Sequence, residues 1–235
     1  MTTPATIHGL PLPNTQDPTN HIYFIGVDEV ARGCLAGPVV SCAMCLDITK
    51  IQTTLATQTS IPKICDSKKL TPKNRTLAER WILDHSLSHA IGQSNITEID
   101  TLNIREATFL AMNRALVDCI AGLNIPDIST ATLNIIIDGN AFKIMPGFEA
   151  QLSRPNITIT TLVKGDAHDI TIACASIIAK EYHDMHIHEL VKNNPDLDTK
   201  YSLLSNMGYP TAKHFDGIKK YGCSEYHRKT FKGVL

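Results

Sequence analysis

The chain of 235 residues carries 22 Lys and Arg against 23 Asp and Glu, for a net charge of −1. A hydrophobic share of 43% and a mean hydropathy of −0.04 are those of an ordinary soluble globular protein long enough for one well-filled core. No apolar run approaches the roughly 20 residues of a membrane helix, and no global basic character marks a nucleic-acid partner.

In chain order, the first twenty residues lack a basic n-region and an apolar h-region, and residues 1–21 read as a flexible lead-in. Ile22 to Val27 and Val39 to Leu46 are β-rich apolar runs separated by glycine and Gly37-Pro38 punctuation, which predicts a hairpin-like pair of strands. Residues 47 to 63 are polar, Thr-rich and read as loop. Thr71-Pro72 is a helix start, with Leu77, Trp81, Ile82 and Leu87 giving one buried face. Ser88 to Ser94 reads as a short strand and residues 97 to 122 as one helix with competing start signals. LNIIID is a strand buried on both faces and ends in Asp138-Gly139. Residues 141 to 156 read as loop and Ile157 to Val163 as strand. Lys164-Gly165-Asp166 then leads into a long helix over roughly 168 to 192. A turn and basic helix over Tyr209 to Tyr221 and a cationic tail close the chain. This order predicts an α/β fold, a mixed sheet with helices packed on it.

Seven cysteines are an odd set in a chain too large to need stapling, which points to reduced thiols and a cytoplasmic location. Cys42 and Cys45 have C-x-x-C spacing but lie in a strand, where positions three apart face opposite sides, so they read as buried structural thiols. Charge is uneven. Residues 62–80 and 209–235 each hold six basic residues against two acidic ones, a local +4 suited to gripping a polyanion.

Four acids fall where strands end: Asp28 and Glu29 after the first, Asp138 after the central one, and Asp166 before the long helix. Each has a bland reading as turn, cap or polar terminus; together they point to a metal site. Oxygen ligands without Cys or His select a hard cation, Mg²⁺ or Mn²⁺, which activates water and stabilises a leaving oxygen in phosphodiester cleavage. Neighbours on a regular strand face opposite ways, so Asp28 and Glu29 share a site only if the strand ends or bulges there. His183, His186 and His188 read as a solvated helix face, with Asp184 a secondary candidate acid.

GVDEVARGCLAGPVV, DSKKLTPKNR, EIDTLNIREATFLAMNRA, IIIDGN, LVKGDAHDITIACASIIAK, GYPTAKHFDGIKKYG and HRKTF follow one another from about Ile22 to Phe231. In this order they resemble ribonuclease HII. The resemblance implies a ribonuclease H-like fold, with a catalytic domain over 22–192 and a helical C-terminal substrate-binding region over 193–235. It implies hydrolysis of the RNA strand of RNA–DNA hybrids and nicking 5′ of a single ribonucleotide embedded in duplex DNA, leaving 3′-hydroxyl and 5′-phosphate ends. Asp28, Glu29, Asp138 and Asp166 match the family's metal-binding carboxylates. Ala31-Arg32-Gly33 matches its Gly-Arg-Gly turn, which reads the ribose 2′-hydroxyl, the group that separates RNA from DNA. Tyr209 matches the tyrosine packed on the neighbouring deoxyribose. Ser67, Lys68 and Lys69 match the phosphate-contacting segment, and Arg228 joins them as a backbone contact.

The chain departs from the family at Ala31, where a positive φ would cost roughly 1 kcal/mol or more, and at His183, which replaces an Arg. Ribonuclease HIII is disfavoured, since twenty-one residues cannot hold that group's N-terminal domain. A monomer without membrane contact is expected. The family's C-terminal sliding-clamp peptide finds little in Lys232-Gly233-Val234-Leu235. The alternatives are a non-catalytic nucleic-acid-binding module and a junction resolvase of the same fold.

Overall fold

The computed structural model describes residues 6–13, 21–57 and 60–235. Strands β1 (Thr6–Ile7) and β2 (Leu10–Pro11) form a small antiparallel hairpin that buries Ile7, Leu10 and Leu12. Within the described residues, then, the lead-in is partly a packed element, because those three apolar side chains have a core to enter; residues 1–5 and 14–20 lie outside the described residues.

The main sheet comprises β3 (His21–Val30), β4 (Val39–Leu46), β5 (Ser86–Ser94), β6 (Ala131–Asp138) and β7 (Ile157–Leu162), in the order β5-β4-β3-β6-β7. The β3–β4 and β4–β5 pairs are antiparallel, whereas β6 lies parallel to both β3 and β7. The helices are α1 (Ile48–Thr57), α2 (Pro72–Asp84), α3 (Ile96–Leu102), α4 (Ile104–Gly122), α5 (Glu149–Leu152), α6 (Ile170–Asn193), α7 (Asp196–Tyr201), α8 (Leu203–Asn206) and α9 (Ala212–Tyr221). No helix is long and apolar enough to cross a membrane among the described residues.

Alternation along β4 shows the layering. Cys42 and Met44 enter one core with α6, α1 and α2, whereas Ala43 and Cys45 enter the other with α4. The two thiols face opposite sides, and all seven cysteines are free. On the α6 side, Gly26 of β3 lets two backbones touch: a Cβ there would lie 2.3 Å from the carbonyl carbon of Thr171, closer than carbon atoms pack.

Residues 48–57 are helical, not loop. The Asp47 carboxylate accepts the Lys50 N–H at 2.9 Å, and Ile48 and Ile51 are buried, so a cap and two anchors override low threonine propensity. The span read as one helix over 97–122 is two, broken at Asn103, which has φ 73° and caps α4 through its side chain. The loop over 141–156 contains the single turn α5.

A third core, formed by Leu35, Ile187, Val191, Leu197, Tyr201, Leu203, Ile218 and Val234, docks the C-terminal helices on the end of α6 and the segment after β3. His214 and His227 are wholly buried beside it. Burial pushes both below the ordinary histidine range, His227 to about 4. A histidine depressed in the folded state binds its proton more readily when unfolded. The associated stability is intact above about pH 6.5 and is lost as pH falls toward 4. Melting temperature should therefore drop across this interval, and His227→Gln should melt lower at pH 7 but with a flatter pH profile. Equal slopes for the two proteins would contradict the assignment.

Candidate active site

The four acids arrive in one cleft for reasons visible in the register. β3 runs unbroken to Val30, and both Asp28 and Glu29 stay paired to β4, opposite Cys42 and Ser41. The strand neither ends nor bulges at the acids. What changes is the other neighbour: parallel pairing with β6 stops at Val27↔Ile137, so Asp138 is the next residue beside Asp28 and the edge of β3 opens. The Glu29 N–H donates to Asp28 Oδ1 at 2.7 Å. Asp166 comes from a one-turn 3-10 helix, Gly165–Ala167, ahead of α6. The Gly165 N–H donates to Asp138 Oδ1 at 2.6 Å, and a Cβ on Gly165 would push against the Cδ1 of Ile172, whose side chain would have to move.

The cleft has a volume of about 480 Å³ and is lined by Asp28, Glu29, Asp138 and Asp166 together with the turn at residues 31–33, Ser67, Lys68 and Tyr209. Burial, then the charge of Glu29, pushes the Asp28 carboxyl well above the usual carboxylate range. Burial also raises Glu29, against the pull of Arg32, whose Nη1 lies 3.1 Å from Glu29 Oε1. Asp166 is raised by burial and by Asp66 and Asp138. Carboxylates held together against their own repulsion are short of positive charge.

The Ala31 backbone has φ 67°, so the costly one of the two cases open for this position holds, and its methyl is buried. Relieving that φ with glycine gains up to about 1 kcal/mol, but burial of one methyl is worth about 0.8 kcal/mol. The two nearly cancel. Ala31→Gly should leave the urea midpoint almost unchanged while altering cleavage at a single ribonucleotide more than cleavage of long hybrids. Equal changes on both substrates would remove the idea.

Other assignments are redistributed. Ser67 is buried and its hydroxyl is 3.0 Å from that of Ser176, whereas Lys69 is exposed and does not line the cleft. Arg228 is not a surface phosphate contact: it is fully buried, and its Nε, Nη1 and Nη2 donate to the carbonyls of Gly37, Arg32 and Pro38 at 2.9–3.0 Å. His183 is not solvated either. It is buried with Nε2 unpartnered, and its ring meets Tyr209 edge-on at 6.3 Å. His186 is half-buried and His188 exposed. Asp184 does not line the cleft but accepts from Lys180 at 2.6 Å and Arg75 at 3.1 Å. The sequence reading missed Ser176 and Lys180, which do line it. Their spacing of four on a helix that starts at the site was the available signal.

The family model for ribonuclease HII matches residues 25–234. The chain belongs to the ribonuclease HII family. The ribonuclease HII of Staphylococcus saprophyticus is 40% identical over 209 residues, covering 89% of this chain and 69% of that protein. Among solved structures, ribonuclease H2 from Pyrococcus horikoshii aligns with a TM-score of 0.65 at 24% identity, over 90% of this chain and 95% of that one. Bst-RNase HIII, solved in complex with Mn²⁺, aligns with a TM-score of 0.61 at 21% identity, over 92% and 69%. The ribonuclease H-like fold expected from the motifs is the fold observed, and the chain is a ribonuclease H, an endonuclease.

Among the described residues, no three His, Cys, Asp or Glu side chains stand close enough together to grip an ion. Glu29 is turned toward Arg32 and Asp138 toward Gly165. The donor set nevertheless fits a hard divalent cation by its chemistry: every candidate ligand is a carboxylate oxygen, and Asp28, Glu29 and Asp166 are raised by burial and mutual repulsion.

Proposed function

We propose that the protein hydrolyses the RNA strand of RNA–DNA hybrids and nicks duplex DNA 5′ of a single embedded ribonucleotide, leaving 3′-hydroxyl and 5′-phosphate ends. The observation that carries this reading is the meeting, in one cleft, of four carboxylates from three chain segments with the turn at Ala31-Arg32-Gly33 and with Tyr209. Asp28, Glu29, Asp138 and Asp166 would hold Mg²⁺ or Mn²⁺, which supplies charge neutralisation at the scissile phosphate and an activated water.

The chain's own residues do the placing. Backbone groups of the 31–33 turn reach the 2′-hydroxyl, and Tyr209 packs on the deoxyribose beside it. Lys68 lines the cleft and, with Lys180, offers cations to phosphates without reading bases. Lys69 contributes only from outside. The region over 193–235 forms the far wall through Tyr209 and supports the turn through Arg228. Val234 is buried in the third core, so the tail over 232–235 is not proposed as a clamp peptide. The test is incubation with Mn²⁺ or Mg²⁺ and a DNA duplex carrying one ribonucleotide, beside its all-DNA control. A single nick in the first and none in the second is expected; cleavage of both would point to a different nuclease.

A further inference from the structure

His214 and His227 form a buried pair whose protonation pattern is fixed by its partners. The Ser224 N–H donates to His227 Nδ1 at 3.0 Å, so that nitrogen holds the lone pair and Nε2 holds the proton of the neutral ring. The two Nε2 atoms lie 3.0 Å apart, so His227 donates and His214 accepts. The His214 proton then sits on Nδ1, 3.0 Å from the Tyr209 carbonyl, which accepts it. One direction of donation runs from Ser224 through two rings to the backbone of Tyr209. Tyr201 closes the pair from α7, with ring centroids 4.6 Å from His227.

The next residue along the chain serves the turn itself. Arg228 grips three carbonyls between Arg32 and Pro38, and its own N–H donates to the Leu35 carbonyl at 2.8 Å. Adjacent residues are thus fastened to two segments that line the cleft, the one ending in Tyr209 and the Arg32 turn, which also meet directly where the Leu35 N–H donates to the Gly208 carbonyl at 2.8 Å.

We propose that His214 and His227 are positioning residues for ribonucleotide recognition, holding Tyr209 at a set separation from the turn that reads the ribose. The proposal rests on the substrate reading given above for those two elements. A long hybrid offers a ribose at every step and tolerates a loosened wall, because neighbouring registers also present a 2′-hydroxyl. A lone ribonucleotide offers one register.

Two substitutions separate positioning from mere packing. In His214→Asn the side-chain amide nitrogen falls near the former Nδ1 and still donates to the Tyr209 carbonyl; in His214→Leu nothing does. The leucine variant should lose roughly tenfold in kcat/KM on the single-ribonucleotide duplex, the worth of about one hydrogen bond, mainly through KM. It should lose less than about threefold on a long hybrid, and asparagine should restore most of the ratio between substrates. Parallel losses on both substrates, alike in the two variants and tracking their melting temperatures, would overturn the proposal. The unsubstituted protein gives an independent check by ¹⁵N–¹H spectroscopy of its histidine rings at pH 7. Neutral rings protonated on His227 Nε2 and His214 Nδ1 are expected, and a cationic ring or the reverse tautomers would defeat the relay. Absence of cleavage by the unsubstituted protein with Mn²⁺ or Mg²⁺ defeats the substrate reading as well. Normal cleavage with an unchanged substrate ratio in His214→Leu defeats the positioning role alone.

Discussion

Asp138→Asn is expected to lower single-turnover cleavage of a hybrid by roughly a thousandfold or more, the several kcal/mol that a catalytic cation's placement is worth, with hybrid binding nearly unchanged. The reason lies in what the substitution keeps and what it removes. Asparagine's Oδ1 can still accept the Gly165 N–H, so the link between β6 and the turn carrying Asp166 survives. The unit charge beside Asp28 is lost, and a hard cation held by the proposed site would lose an anionic ligand. Asp138 raises Asp28, Glu29 and Asp166 through its charge, so its neutralisation also removes repulsion. Without added metal the variant should therefore melt at the same temperature as the parent or above it. Near-normal turnover would contradict the site; weak turnover together with a collapsed melting temperature would show instead that Asp138 is chiefly structural.

Arg228→Ala should destabilise the protein by about 3–5 kcal/mol, because three buried carbonyls lose a charged donor at roughly 1–3 kcal/mol each, partly offset by relaxation. Three carbonyls, of Arg32, Gly37 and Pro38, lose their donor together, and the stacking of the guanidinium over Phe231 at 5.1 Å goes with them. Arg228→Lys should recover little, because one ammonium cannot span carbonyls that a planar fork reaches at once. Burial already lowers the guanidinium to about 10, and a lysine there would surrender its proton more easily still. Urea denaturation at constant m-value measures both variants. A loss below about 1 kcal/mol for the alanine variant would mean that water or a rearranged loop satisfies the carbonyls.

Much of this was legible in the sequence where chemistry and pattern coincide. The four acids follow apolar runs punctuated by glycine, and those continuous β-rich runs are enough to locate the strands that carry Asp28, Glu29 and Asp138. What was not legible depends on distance through space. Nothing local to the tail says that Arg228 turns inward to carbonyls nearly two hundred residues away, and a basic tail that grips a nucleic-acid backbone is the natural expectation. His183 misled for the same reason: a helix rich in His and Asp looks wet until Tyr209 of the C-terminal region closes over it. The way Asp28 and Glu29 share a cleft on an unbroken strand follows from where the neighbouring strand stops, which is a property of the pair and not of either segment. Helix α1 is masked in the sequence by its threonines, whose low helix propensity hides the Asp47 cap and the Ile48 and Ile51 anchors.

Gly26 carries a consequence for how the site withstands change. Where β3 and α6 meet there, the strand packs directly on the backbone and the hydroxyl of Thr171. The offset between the strand that bears Asp28 and Glu29 and the helix that follows Asp166 is set by atomic radii, not by how neighbouring side chains interdigitate. Swaps among the aliphatic residues of the flanking cores can thus alter overall stability without retuning the spacing of the acids. The protein's tolerance to drift in its interior and the accuracy of its chemistry are mechanically uncoupled, and a single added methyl at residue 26 would couple them.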